Sequence, residues 1–224
     1  MPKIVSPGEA AALIPEGGSI MVGGFMGCGN PHRIIAELAR LGTDGLTLIC
    51  NDGAMLGGPG GEEYYGVAKL IHNGQIKKLI ASHVGLNPEV GAKSNDGSLE
   101  VVVVPQGSLA EMIRAGGAGL GGVLTPTGIG TIVQDAEHVH SVVEVNEKKY
   151  LLERPLRADF ALICGYRVDK AGNVWYKGTT RNFSHVMATA ADTVIAEAEH
   201  LVDVGVIEPE NVVTQGILVD YIAH

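Results

Sequence analysis

The chain is poor in aromatics, in positive charge and in cysteine. Only 4% of its 224 residues are Phe, Trp or Tyr, so it offers no aromatic platform on which bases could stack. Sixteen Lys and Arg stand against 25 Asp and Glu, a net charge of −9, with no long basic cluster. Binding a phosphate backbone needs the opposite sign, so nucleic acid is not an expected partner. Three cysteines, Cys28, Cys50 and Cys164, show no C-x-x-C spacing. An odd, sparse count fits a reducing cytosol and argues against a zinc module. No metal site is expected. No apolar run reaches the ~18 residues of a membrane span, and the amino terminus has no long apolar core of the secretory kind. The expectation is a cytoplasmic protein away from membranes.

What is present is a core. The chain is 46% hydrophobic and 18% charged, enough for one large α/β domain or two small ones. Apolar runs and helical patterns alternate, which argues for a layered α/β fold. No internal repeat divides them, so residues 1–224 read as a single domain. Glycine is abundant at 32 residues, clustered between apolar runs.

The organising stretch runs from Ser19 to Leu41. Ser19–Val22 reads as a short buried strand. Gly23, Gly24, Gly27 and Gly29 follow within seven residues. Ile34, Ile35, Leu38 and Leu41 then share one helical face. Asn30 before Pro31 reads as an N-cap followed by proline at the first helical position. Glycine lets backbone N–H groups approach a ligand, and a helix N-terminus carries unpaired N–H groups and partial positive charge. Together they suit a carboxylate, a phosphate or a developing oxyanion. A tight strand-to-helix turn without a ligand fits the spacing equally well.

Elsewhere, Ser6 and Glu9 form a capping box for a helix through about Ile14. Strands are expected at Leu46–Cys50, Ile76–Ala81, Leu99–Val104, Phe160–Cys164, Thr193–Glu197 and Ile217–Ile222. Asn51–Gly66, with six glycines and a proline, reads as a loop, and Val67–His72 as a short helix. Ser108 and Glu111 read as a second capping box. Val142–Val145 and Tyr150–Glu153 read as a hairpin, which would make the sheet mixed. A helix is expected from Arg181 to about Ala191. Gly117, Gly119 and Gly122 spell G-x-G-x-x-G, but they follow a helix and lead into Leu124-Thr125-Pro126, so they are not a dinucleotide fingerprint. His138 and His140 lack a third ligand and read as exposed polar residues. His83, just past a strand end, is either a substrate-side or a structural histidine.

Val22-Gly-Gly-Phe-Met-Gly-Cys-Gly-Asn-Pro31 resembles the signature of the α half of family I coenzyme A transferases, which include the acetate, butyrate and 3-oxoacid CoA-transferases. Gly23-Gly24-Phe25, Gly29 and Pro31 match it. Pro105–Thr131 is the longest matching stretch, with Pro105-Gln106-Gly107 and Arg114-Ala-Gly-Gly-Ala-Gly119. Glu153–Asp159 and the tail from Ile207 to Ile217 also match. Glu16 stands where the family usually has Asp or Asn, Gln215 where it commonly has Pro, and the connection at Asn51–Gly66 is usually shorter.

The resemblance implies a three-layer fold with an open, mostly parallel sheet of the CoA-transferase or ribose-phosphate-isomerase kind. It implies that coenzyme A is a substrate, with no tightly bound cofactor. It implies that Gln106 donates to an oxyanion, and that Gly23, Gly24, Phe25, Met26, Gly27, Cys28 and Gly29 line the CoA site. The family's nucleophile is a glutamate in an E-N-G-like motif on the β half, which this chain lacks. Glu89-Val90-Gly91 is the nearest imitation. The resemblance therefore implies a β-subunit partner, in a heterodimer or a pair of heterodimers, and short-chain carboxylate and acyl-CoA substrates. Cys28, near a helix N-terminus, is the rival nucleophile, although the family varies at this position, which favours a packing role. Arg154 and Arg157 are read either as an ion-pair network or as partners of the CoA phosphates. The alternative function is a standalone phosphosugar-isomerase-like or ligand-binding protein on a related fold.

Overall fold

The computed structural model describes residues 1–224. In chain order the elements are β1 (Lys3–Val5), α1 (Pro7–Ala11), β2 (Ser19–Val22), α2 (His32–Leu41), β3 (Leu46–Cys50), α3 (Ala68–His72), β4 (Ile76–Ala81), α4 (Pro88–Asn95) and β5 (Glu100–Val103). Then come α5 (Gln106–Gly117), β6 (Val123–Thr125), β7 (Val139–Val145), β8 (Lys148–Glu153), β9 (Ala158–Asp169), β10 (Val174–Trp175), α6 (Ser184–Met187), β11 (Ala191–Val202) and β12 (Tyr221–Ala223). The main sheet runs β1-β12-β11-β9-β2-β3-β4-β5 with every neighbour parallel, and β10 adds antiparallel to β9.

Strand side chains alternate between two apolar layers, as a period of two requires. Ile20, Val22, Leu46, Leu48, Leu162 and Ile195 pack with Ile34, Ile35 and Leu38 of α2 and with Leu70 and Ile71 of α3. Met21, Ile49, Ala161, Ile163 and Ala196 pack on the opposite face with Leu109, Met112 and Ile113 of α5 and Met187 of α6. The result is the expected three-layer α/β arrangement. No helix is long and apolar enough to cross a membrane.

Local signals account for several boundaries. Ser6 Oγ accepts from the Glu9 N–H and the Glu9 carboxylate accepts from the Ser6 N–H, closing the capping box. Gly42 ends α2 at φ +73°, a left-handed value that glycine adopts without a Cβ penalty. Other expectations need correction. The hairpin β7–β8 is real but joins β6 in a separate antiparallel sheet, and β10 is what makes the main sheet mixed. The Ser108–Glu111 capping box does not form: α5 begins two residues earlier, at Gln106, so Ser108 is buried inside it and Glu111 pairs with Arg114. Asn87 caps an additional helix, α4, within the stretch that follows β4. The helix after Asn182 is only Ser184–Met187, and the carboxyl-terminal strand is Tyr221–Ala223. α1 stops at Ala11, short of Ile14, and β1 is an additional strand, held parallel on β12.

β9 and β11 are much longer than their apolar cores. They pair with one another from Ala158–Ala191 to Asp169–Val202, well past the end of β2, and so form a wall beside the glycine loop.

Candidate active site

The carboxyl ends of β2, β3, β4 and β5 lie side by side, so the residues just beyond them converge. These are the glycine loop, Asn51-Asp52, Ser82-His83 and Gln106. Phe25, Met26, Asn51, Asp52, Ser82, His83, Leu86 and Gln106 line a cleft of about 450 Å³. A larger cleft, about 620 Å³, opens on the other side of Met26, between the glycine loop, the segment after β3 and the β9–β11 wall. Cys28, Gly29, His32, Tyr65, Glu197 and Glu199 are among its lining.

The glycine loop is built tightly. Phe25 and Cys28 exchange backbone hydrogen bonds of 3.0 and 2.9 Å. Asn182 clamps the loop, accepting from the Gly24 N–H at 2.9 Å and donating to the Cys28 carbonyl at 3.0 Å. A Cβ at Gly27, where φ is +83°, would overlap the Tyr65 ring, and one at Gly24 would overlap the Asn30 amide. Glycine is therefore needed here for close packing and left-handed backbone as much as for approach to a ligand. Most of the loop's N–H groups are already engaged: Gly23 with Leu162, Gly24 with Asn182, Met26 with Asp52 and Asn30 with Gly27. The N–H groups of Gly27 and Gly29 have no acceptor in the protein.

The helix terminus differs from the expectation. Asn30 is not its cap: its buried side chain donates to the Gly23 carbonyl at 2.6 Å, and α2 starts after Pro31 without a side-chain cap bond. The anion at this N-terminus is the protein's own Glu197, from β11. Its carboxylate accepts from the Arg33 and Ile34 N–H groups at 3.2 and 2.9 Å and pairs with the Arg33 guanidinium at 3.4 Å. The charge preference of the helix end is thus met internally.

Gln106 is exposed at the first turn of α5, and its Nε2 donates to Asn51 Oδ1 at 2.6 Å. This is the only hydrogen bond of its side chain, which leaves a second N–H directed from a cleft-lining residue. Asn51 Nδ2 donates to Asp52 Oδ2 at 2.6 Å, and Ser82 Oγ donates to the Asn51 carbonyl at 2.8 Å. Asp52, 5% exposed, also accepts from the Met26 N–H at 2.8 Å and the Ala54 N–H at 2.9 Å. His83 lines the same cleft with its ring free of hydrogen bonds.

The remaining sequence-derived residues separate. Cys28 is exposed, 3.6 Å from Thr179 Oγ1, and faces the larger cleft, away from Gln106. Burial pushes the Cys164 thiol far above its ordinary range, with Glu197 and Glu199 adding to the effect. Burial lowers the His32 pKa, against the opposing bond to the Gly27 carbonyl. Glu89 lies on α4, bonded to His72 and Tyr64, outside both clefts. Arg157 binds the Gly116 carbonyl and Asp192, at the end of the sheet where β9 and β11 begin. That is the ion-pair reading of this segment. Arg154 borders a small separate cavity with His138. His138 is buried, not exposed as its position suggested. Sequence reasoning missed Asn51, Asp52, Asn182 and Glu197. Asn51-Asp52 directly after an apolar strand is the one available signal, at the head of a stretch that reads as a loop.

The model of the coenzyme A transferase family matches residues 4–224. The acetate CoA-transferase subunit alpha of Escherichia coli K12 is 45% identical over 220 residues, covering 98% of this chain and 96% of that one. The acetoacetyl-CoA:acetate/butyrate CoA transferase alpha subunit of Clostridium acetobutylicum is 47% identical over the same shares. Among solved structures, the acyl-CoA transferase YdiF of E. coli O157:H7, in a thioester complex with CoA, superposes with a TM-score of 0.86 at 22% identity. The superposition covers 99% of this chain and 46% of the YdiF chain, so this chain spans about half of that protein. A family model spanning nearly every residue, with relatives of equal length named as α subunits, leads to one assignment: the chain is a coenzyme A transferase family member, of the α-subunit type.

Proposed function

We propose that this chain, joined to a β subunit, moves CoA between short-chain carboxylic or 3-oxo acids of the acetoacetyl-CoA, acetate and butyrate type. The observation that carries the reading is what the Gln106 cleft has and lacks. It has an amide donor at a strand end, where a carbonyl oxygen would gain negative charge. It lacks a free carboxylate nucleophile. Its one acid, Asp52, is buried and occupied by three donors. Phe25 and Leu86, each 43% exposed, line the same cleft and suit a covering partner.

In this scheme a glutamate of the partner attacks the acyl-CoA carbonyl carbon. The carbonyl π electrons move onto oxygen, which the free N–H of Gln106 stabilises. Collapse expels CoA thiolate and leaves a mixed anhydride. The thiolate then attacks the glutamyl carbonyl, releases the first acid as carboxylate and leaves a glutamyl-CoA thioester. The second acid repeats these steps in reverse. Phe25 and Met26 of the glycine loop face the reacting end. Met26, Cys28 and Gly29 border the neighbouring cleft, and Gly23, Gly24 and Gly27 hold the loop's shape.

The test is CoA transfer from acetoacetyl-CoA to acetate, by this chain alone and mixed with its β subunit. Activity is expected only in the mixture, and Gln106→Ala should lower kcat by about 10²-fold. Activity from this chain alone overturns the reading.

A further inference from the structure

We propose that Asp52 is a positioning residue that sets the orientation of the Gln106 amide through Asn51, while anchoring the glycine loop. Outside the Asn146-Glu147 hairpin turn, Met26 and Ala54 are the non-glycine residues held in the left-handed region, at φ +51° and +57°. The N–H groups of both point at Asp52, one to each carboxylate oxygen. Such backbone persists only where its surroundings hold it. Two backbone N–H groups are donors beyond choice, and so they fix the carboxylate.

The carboxylate then fixes the amides. Oδ2 accepts only, so the Asn51 atom 2.6 Å away must be Nδ2. Asn51 Oδ1 is thereby turned toward Ser82 Oγ, at 3.1 Å, and toward Gln106, at 2.6 Å. The Gln106 atom meeting an acceptor must be Nε2, so its second N–H stays free for the cleft. With Asp52 removed, Asn51 can reverse, and Gln106 loses the contact that selects one of its two orientations. Met26 borders both clefts, so the same carboxylate ties the shape of the loop to the set of the amide.

This inference rests on the oxyanion role given to Gln106, and its test separates the two. With the β subunit present, Asp52→Ala is expected to lower kcat about tenfold or more, with a smaller change in KM. In a Gln106→Ala background its effect on kcat is expected to shrink to the part carried by the loop anchor, because residues acting as one unit are not additive. An undiminished loss in that background overturns the proposal. The second measurement needs no activity: the side-chain amide signals of Gln106 in ¹⁵N-labelled chain, identified by their loss in Gln106→Ala. Asp52→Ala should move both proton shifts toward those of a free glutamine. Asn51→Ala, which leaves the anchors to Met26 and Ala54 in place, should do the same and serves if Asp52→Ala does not fold. Unchanged Gln106 signals overturn the proposal. Inactive wild-type mixtures would contradict the transferase reading while these signals still decide the role of Asp52.

Discussion

Glu153, at the end of β8, is fully buried with neither carboxyl oxygen hydrogen-bonded, and His138 Nε2 lies 3.7 Å away, beyond hydrogen-bond reach. Burial raises the Glu153 pKa and lowers that of His138. The signs oppose. Above the unfolded carboxyl value, about 4.3, the native state holds a proton on Glu153 that the unfolded chain releases, so stability falls as pH rises. Below the unfolded histidine value, about 6.5, the unfolded chain takes up a proton that buried His138 refuses, so stability falls as pH drops. Glu153→Gln removes only the first slope. Relative to wild type, its urea midpoint should rise as pH increases from about 4.3 and level off once the buried acid would have ionised. A pH-independent difference would contradict this account. The burial of neither residue shows in the sequence. His138 read as exposed because nothing local reports that β7 and β8 turn it against β4 and α5.

At the scale of elements, the boundaries that could be read were those with a local cause. Ser6 and Glu9 lie one turn apart, and Gly42 ends a helix on its own φ. The misreadings had distant causes. Asn30 looked like a cap, but the Gly23 carbonyl holds its amide. Ser108 looked like a cap, but Pro105 lets α5 start earlier and carries Ser108 inside. α2 is capped by Glu197, 163 residues from Ile34 along the chain, a pairing no window of sequence contains. Glu197→Ala should therefore destabilise the chain by about 1–3 kcal/mol, from the loss of charge-assisted bonds to two N–H groups and of the Arg33 pair. Glu197→Gln, which keeps one acceptor oxygen, should cost less. Urea unfolding measures both, and an unshifted midpoint in Glu197→Ala would remove Glu197 from this role.

At the scale of the molecule, parallel order explains why one sheet edge carries the site. Each parallel strand delivers its following residues to the same end, so Met26, Asp52, His83 and Gln106 meet although 80 residues separate the first from the last. The motifs at Gly23–Pro31 and Pro105–Gly107 were legible as two pieces of one site. The Asn51-Asp52 joint between them was not, because its meaning lies in contacts that only the folded sheet creates. The acid side of the chemistry is the other consequence. Asp52, the one acid lining the Gln106 cleft, is held by the loop, and Glu89, outside it, by His72 and Tyr64. On the proposed reading, in which Gln106 is the oxyanion donor, the attacking carboxylate comes from the β subunit.

The most direct measurement is the intact mass of both chains after the mixed protein meets acetoacetyl-CoA without an acceptor acid. This account expects a CoA adduct on the partner subunit, mapped to a glutamate and removed by hydroxylamine, with the mass of this chain unchanged. An adduct on this chain, at Cys28 or Glu89, would contradict it, since the nucleophile would then lie on the half that here supplies only the amide and the loop.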